Sequence, residues 1–401
     1  MTLRRVWLLV LLVTLAAPAA AQTLPEGPVR VLDGRLLVGG EIVATIGDSD
    51  DIAFFNYTDY EHNVLRLFRV SLSGVWQPVS RIALVGEVRS EDLQQARAYA
   101  AYVRIRPWPE RGLDIQVGRI PPAFGAFGRR NYAGDNILIG YPLAYQYLTS
   151  IRPDAIPATR ADLLRMRARG WQSSYPVGDQ TPQPGVPLIS GFRWDTGVQA
   201  HWSTDTVELT GAVTTGTLSD PQLTDNNGGR QLSGRAAWKP ATGFIIGTSA
   251  ARGEWLDSDV ERLLPDSHDY TQTAWGADAE YSRDHWLVRG EVVWSRWRMP
   301  FAVTNPSGEN IDALGMWVEG RYRITPRIFT AARVDHLGFS KIALANAVPI
   351  EWDAPVMRVE YDLGYYIQRN LVARVAVQYN DRPAGRVRTR TYFAGQLAYW
   401  F

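Results

Sequence analysis

The chain has 401 residues, no cysteine, and 42 Lys and Arg against 41 Asp and Glu, for a formal net charge of +1. That excludes a disulfide framework and a thiolate metal site, and bulk charge points to no nucleic acid or acidic partner. Fifteen Trp within an aromatic content of 11% is rich, and their placement along the chain carries information.

Arg4 and Arg5 precede the apolar run Val6 to Ala17, and Ala19-Ala20-Ala21 stands before Gln22. A charged start, an apolar stretch too short to span a bilayer and a small-x-small site predict a cleaved secretory signal peptide over 1–21. Position 22 is not Cys, which closes the lipoprotein route. Residues 22–34 read as a lead into the first strand. No later apolar run is long enough for a membrane helix. The mean hydropathy of −0.18 fits a soluble protein, but also a transmembrane barrel, in which only alternate residues face lipid.

From 35 onward the chain alternates apolar and polar residues with period two, in segments of roughly ten residues. They fall near 35–46, 64–76, 80–90, 97–107, 112–120, 191–203, 205–216, 230–239, 243–253, 271–282, 285–298, 312–324, 327–336, 354–367, 370–380 and 388–401. That is about sixteen; Ile52 to Tyr60 is read as a loop, though as a strand it would help raise the number to eighteen. The connections alternate between short turns, such as Pro240-Ala-Thr242 and Thr325-Pro326, and longer polar loops at 217–229, 254–270, 299–311, 337–353 and 121–190. Trp76, Trp108, Trp202, Trp238 and Trp286 all lie beside short turns. Short turns on one side, long loops on the other and an aromatic girdle at one interface predict an all-β, antiparallel transmembrane barrel over 35–401.

The pleat then sorts side chains. Ile82, Leu84, Val88, Tyr99, Val207, Leu209, Val359 and Tyr361 are expected to face lipid. The inward, pore-lining set is Arg69, Arg81, Arg104, Arg106, Arg193, Arg235, Arg289, Arg321, Arg333, Arg358, Arg374, Arg388 and Arg390 with Glu87, Glu291 and Glu360. Sixteen strands are wide enough for an aqueous channel, so a wide empty lumen is expected. Charges paired across strands along the wall are the alternative to a wet, charged lining.

Segment 121–190 is too long to be a plain connection. Thr159-Arg-Ala-Asp162 reads as a helix start and Gly170 as its stop, with Arg165 and Arg169 on one face. A basic helix lining a constriction, with Arg129, Arg130, Arg160, Arg165, Arg167 and Arg169, is one reading; a solvated external loop is the other. At the end of the chain, Phe401, Tyr399, Leu397, Gly395 and Phe393 form an apolar face opposite Trp400, Ala398, Gln396, Ala394 and Tyr392.

An alternating strand that stops on an aromatic residue resembles the closing strand of bacterial outer-membrane barrels. The resemblance implies that Tyr399 and Phe401 form the signal read by the barrel assembly machinery. Gly118-Arg119-Ile-Pro-Pro-Ala-Phe124-Gly125 resembles, over about ten residues, the porin O and P group of phosphate-selective porins. The architecture resembles sixteen-strand porins over nearly the whole mature chain, in which the long early loop folds into the lumen. It implies a channel for passive diffusion of small hydrophilic solutes or ions in the outer membrane of a Gram-negative bacterium. Contacts with lipid and lipopolysaccharide, and a homotrimer, belong to the same expectation. The strands carry Arg but almost no Lys, unlike the phosphate-selective members. A modest anion preference is expected from the excess of Arg.

Other functions leave weaker marks. Barrel enzymes of lipase or protease type need a His beside a carboxylate or Ser at the outer rim. Asp335 and His336 are strand neighbours and point to opposite faces, His268-Asp269 lies in an outer loop, and Asp284-His285 sits in a short turn. The run around Asp225 lacks the spacing of a calcium loop. No catalytic residue, cofactor or metal is therefore assigned. A receptor or adhesin acting through its loops remains a third class.

Overall fold

The computed structural model describes residues 25–401 apart from 59–60, 109, 129, 266–268 and 346. The signal peptide expected over 1–21, Arg129 and His268 lie outside the described residues. Sixteen strands make the wall: β1 Leu36–Gly47, β2 Phe68–Val79, β3 Ile82–Glu91, β4 Arg97–Ile105, β5 Leu113–Ile120, β6 Asp195–Ser203, β7 Val207–Thr214 and β8 Gln231–Ala241. The series continues with β9 Phe244–Glu254, β10 Thr271–Arg283, β11 Trp286–Phe301, β12 Asn305–Arg323, β13 Ile328–Phe339, β14 Val356–Gln368, β15 Leu371–Asp381 and β16 Thr389–Trp400.

Each strand pairs antiparallel with the next, and β16 closes on β1 from Glu41 opposite Trp400 to Gly47 opposite Ala394. Closure removes the sheet edge, which in a bilayer would leave backbone groups without partners. The last residue belongs to the seam: Phe401 N donates to Gly40 O at 3.0 Å, and Gly40 N donates to Phe401 O at 3.0 Å. A short strand, Val29–Val31, pairs with the start of β1, below the point where β16 ends.

The two faces follow the alternation. Leu84, Val88, Leu209, Val359, Tyr361 and Phe393 are exposed outward, while Tyr392, Ala394 and Ala398 on β16 are buried. Trp76, Trp108, Trp202, Trp238 and Trp286 are exposed beside the short turns and form the expected ring. No described helix is long and apolar enough to cross a membrane; the strands make the wall.

Three expectations change. Tyr99 does not face lipid. The β3–β4 register slips between Glu87–Ala100 and Val88–Ala98, leaving Tyr99 as the extra residue of a bulge, and a bulge re-aims its side chain. Tyr99 turns inward beneath the Arg89 guanidinium, 3.6 Å from its ring centre. Second, 299–311 is not a loop. β11 runs to Phe301 and β12 starts at Asn305, because Met299 and Phe301 are fully buried and the tip is tied down. Ala302 N and Val303 N donate to Pro157 O and Ala158 O at 3.1 and 3.0 Å. Third, the lumen is not empty: segment 121–194 fills it.

Candidate functional site, the filled lumen

The inserted segment leaves the wall after β5 and returns at β6. Its first part is apolar where an external loop would be polar. Ile137 to Leu148 contains Ile137, Leu138, Ile139, Tyr141, Leu143, Ala144, Tyr145 and Tyr147, all buried. Phe124 and Phe127 are also fully buried. Phe127 lies edge-on to Trp317 of β12 at 5.9 Å and against Tyr145 at 5.1 Å. A short helix, α1 Leu143–Gln146, packs by Ala144 against the backbone of Gly315 on β12.

Irregular backbone buried inside a barrel needs hydrogen-bond partners. The wall supplies them by charge. Wall carboxylates accept segment N–H groups: Ala126 N to Glu291 at 2.9 Å, Ala133 N to Glu41 at 2.6 Å, Ile139 N to Asp362 at 2.8 Å and Gly140 N to Glu360 at 2.6 Å. Leu143 N reaches Asp335 at 3.3 Å. Wall guanidiniums donate to segment carbonyls: Arg374 to Ala133 O at 2.6 Å, Arg358 to Tyr141 O at 3.1 Å and Arg289 to Asp135 O at 3.1 Å. Tyr132 and Asn131 complete the crossing on Glu87 and Tyr99. The contacts run from β1 and β3 to β15, so the segment crosses the lumen rather than lining one side.

The remaining wall charges are largely paired. Arg333 lies between Glu360 at 2.9 Å, Asp335 at 2.9 Å and Glu319 at 3.3 Å, all fully buried. Arg69 meets Glu91 at 2.9 Å and donates to Tyr141 Oη at 2.9 Å. Arg235 pairs with Asp278, and Arg130 of the segment with Glu280 at 2.7 Å. Buried charge is tolerated when paired and hydrogen-bonded. Gly140 shows how close the approach is: a Cβ there would stand 2.3 Å from Glu360.

The pore-lining set therefore divides. Arg69, Arg333, Arg358, Arg374, Glu87, Glu291 and Glu360 are buried and hold the segment or one another. Arg104, Arg106, Arg193, Arg235, Arg289 and Arg321 are partly buried, and Arg81, Arg388 and Arg390 are exposed at the barrel ends.

The helix proposed as a constriction sits elsewhere. α2, Arg160–Arg165, has the full capping box, with Thr159 and Asp162 bonded reciprocally. It stops at Arg165, short of Gly170, because the chain is captured by other partners: Met166 O accepts from Ser150 Oγ at 2.7 Å and Ala168 N donates to Asp353 at 2.7 Å. Arg160 pairs with Glu309 of the outer β11–β12 hairpin, and Arg165 pairs with Asp162 while its side chain is 73% exposed. These arginines lie at the outer rim. The part of the segment that crosses the lumen is 124–143.

Among the described residues, two outer cavities are of about 430 Å3 each. One lies among Asp154, Asp220, Asp257, Arg97 and Arg193. The other lies among Arg165, Arg167, Arg169 and Arg386. Asp335 and His336 point apart: Asp335 is buried and bonded to Arg333 and Leu143 N. A His–carboxylate contact missed from sequence, His62 Nδ1 to Asp92 Oδ2 at 2.8 Å, ties down the β1–β2 loop, and the same carboxylate accepts from Phe68 N. Asp225 is engaged by Gly228 N and Arg230 of its own turn.

No family model and no curated protein matches the chain. Solved structures do. The outer-membrane channel DcaP of Acinetobacter baumannii matches at TM-score 0.54 and 13% identity, covering 94% of this chain and 100% of that one. The anion-selective porin from Comamonas acidovorans matches at TM-score 0.56 and 8% identity, covering 91% and 99%. OmpT with loop L8 deleted, an outer-membrane protein of Vibrio cholerae, matches at TM-score 0.55 and 11% identity, covering 91% and 99%. At such identities the likeness shows the fold, which is the sixteen-strand outer-membrane β-barrel of porin type. The narrower resemblance to the phosphate-selective group stays with the ten residues that suggested it.

Proposed function

We propose that the chain is an outer-membrane channel for passive diffusion of small hydrophilic solutes, with its passage set by the inserted segment. One observation carries this: the segment is fastened to the wall by backbone hydrogen bonds to wall charges around the barrel. The bonds named above fall on β1 to β4, β10, β11 and β13 to β15. The wall of β4 to β8 is left with Arg104, Arg106, Gln116, His201, Glu208 and Lys239 partly exposed. That is the side along which solute passes.

The ion preference follows from what is left over there. Arg106 pairs with Asp114 at 2.6 Å, Lys239 with Glu208, and Arg235 with Asp278. Arg104 has no carboxylate partner among the described residues. One unbalanced guanidinium at a narrow wet passage gives a modest anion preference that salt weakens, since charges beyond about 8 Å are screened at physiological ionic strength. Planar-bilayer recording tests the proposal. Ohmic steps are expected, with a reversal potential shifted toward anions that moves toward zero in Arg104→Gln. A membrane that stays silent would overturn the channel reading. A cation-shifted potential would overturn the ion preference. Contacts with lipopolysaccharide and the assembly machinery, and trimer formation, remain part of the proposal; one OmpT structure of Vibrio cholerae is a trimer form.

A further inference from the structure

The second outer cavity, about 430 Å3, is built where three elements meet: the β1–β2 loop, the turn after α2 and the β15–β16 loop. Two buried groups brace those elements: Arg382 joins the β15–β16 loop to the β1–β2 loop, and Asp353 ties the turn after α2 to Ser150 of the inserted segment. Arg382 donates to Ala53 O at 2.7 Å, to Tyr147 Oη at 3.2 Å and to Val387 O at 3.2 Å, and lies 4.4 Å over the Phe55 ring. Asp353 accepts from Ala168 N at 2.7 Å and from Ser150 N at 2.7 Å. At Gly385 the loop presses on the turn, with an added Cβ 3.1 Å from Ala168 Cβ. The cavity walls are therefore fixed.

Its lining combines two chemistries. Arg165, Arg167, Arg169 and Arg386 bring four guanidiniums, and Ile52 and Phe54 bring apolar surface. Phe54 is backed by Trp171, stacked at 6.2 Å and 28°. The carboxylate in the lining, Asp51, is already engaged by Tyr57 Oη at 2.9 Å and Ser49 Oγ at 2.5 Å. Arg167 is held only loosely by Glu351 at 3.8 Å, and its buried Nε has no hydrogen-bond partner. A buried donor without a partner is costly and favours an acceptor placed beside it. Guanidinium forks fit carboxylates in a bidentate way, an aromatic wall favours a ring laid against it, and the volume suits a small organic ligand.

We propose that this cavity captures small organic anions that carry an apolar ring, the aryl carboxylate class, at the outer mouth. The inference deepens the channel reading and rests on it for its purpose, but not for its test. Benzoate is titrated into the full chain in detergent micelles by calorimetry, with benzamide (ring without charge) and inorganic phosphate (charge without ring) as comparison probes. Saturable benzoate binding is expected, at least tenfold tighter than either comparison. It should weaken at least tenfold in Arg167→Gln/Arg169→Gln and in Phe54→Ala. Should the double variant lose the heat-modifiable gel mobility of a folded barrel, Arg386→Gln, on a separate loop, is expected to give the same direction of change. Benzamide binding as tightly as benzoate, phosphate binding as tightly, or no saturable benzoate binding would each overturn the proposal. None of these readings depends on current, so a silent bilayer and a failed titration remain separate results.

Discussion

Glu291 is fully buried on β11, and it accepts from Ala126 N at 2.9 Å, Tyr145 Oη at 2.9 Å and Trp317 Nε1 at 3.3 Å. Each donor left unmet in a dry site costs about 1–3 kcal/mol. Glu291→Ala is therefore expected to destabilise the barrel by about 3 kcal/mol or more, while Glu291→Gln, which keeps an acceptor, costs less. The temperature at which gel mobility shifts in detergent reads the difference; equal temperatures for Ala and wild type would mean that the segment is not held there. A second residue titrates outside the wall. Burial first, then the charges of Asp220, Asp154 and Asp259, push the Asp257 carboxyl up to about 7 from an ordinary 3.8. The folded chain then holds this proton better than the unfolded one. The contribution to stability is full below the unfolded value and is lost as pH rises through about 7. Protection of loop 254–270 against protease should fall between pH 5 and pH 8, and Asp257→Asn should flatten the dependence. Protection that rises with pH in the wild type would contradict this.

At the scale of elements, the last strand carries the clearest expectation. Phe401 closes the seam with two backbone bonds to Gly40, and its ring stacks on Tyr399 at 5.9 Å. Deleting Phe401 removes both bonds and the terminal aromatic. Outer-membrane levels of that variant are expected to drop, with processed precursor in the periplasm; unchanged levels would remove the role assigned to this strand. The strands themselves were legible because a wall with lipid on one side and a polar filling on the other forces period two. What period two cannot show is a slipped register, such as the one that turns Tyr99 inward. The hairpin tip was hidden for another reason. Asn305-Pro-Ser-Gly308 has loop composition, with Gly308 at φ +80, yet the tip is held as strand by its contact with Pro157 and Ala158, which are distant in sequence. The helix start at Thr159 was legible from its cap. Its place at the outer rim was not, because its partners, Glu309 and Asp353, lie far along the chain.

For the whole molecule, the question was whether wall charge means a wet pore or a dry frame. The sequence shows the charges, and the porin resemblance puts the long early loop in the lumen, as the structure has it; what neither shows is that the loop uses those charges as its hydrogen-bond partners. A signal was present: Ile137 to Leu148 is too apolar for an external loop, and the inward acids and arginines cluster on β12 to β15, where that run is bound. On the proposed reading, this segment sets the passage. Its most direct test replaces residues 126–141 with a short Gly-Ser linker and records single channels from the folded variant, with heat-modifiable mobility as the check on folding. Conductance several times that of the wild type is the predicted result. A folded variant that conducts as the wild type does would contradict the account, because the passage would then be set by something other than the chain that fills the barrel.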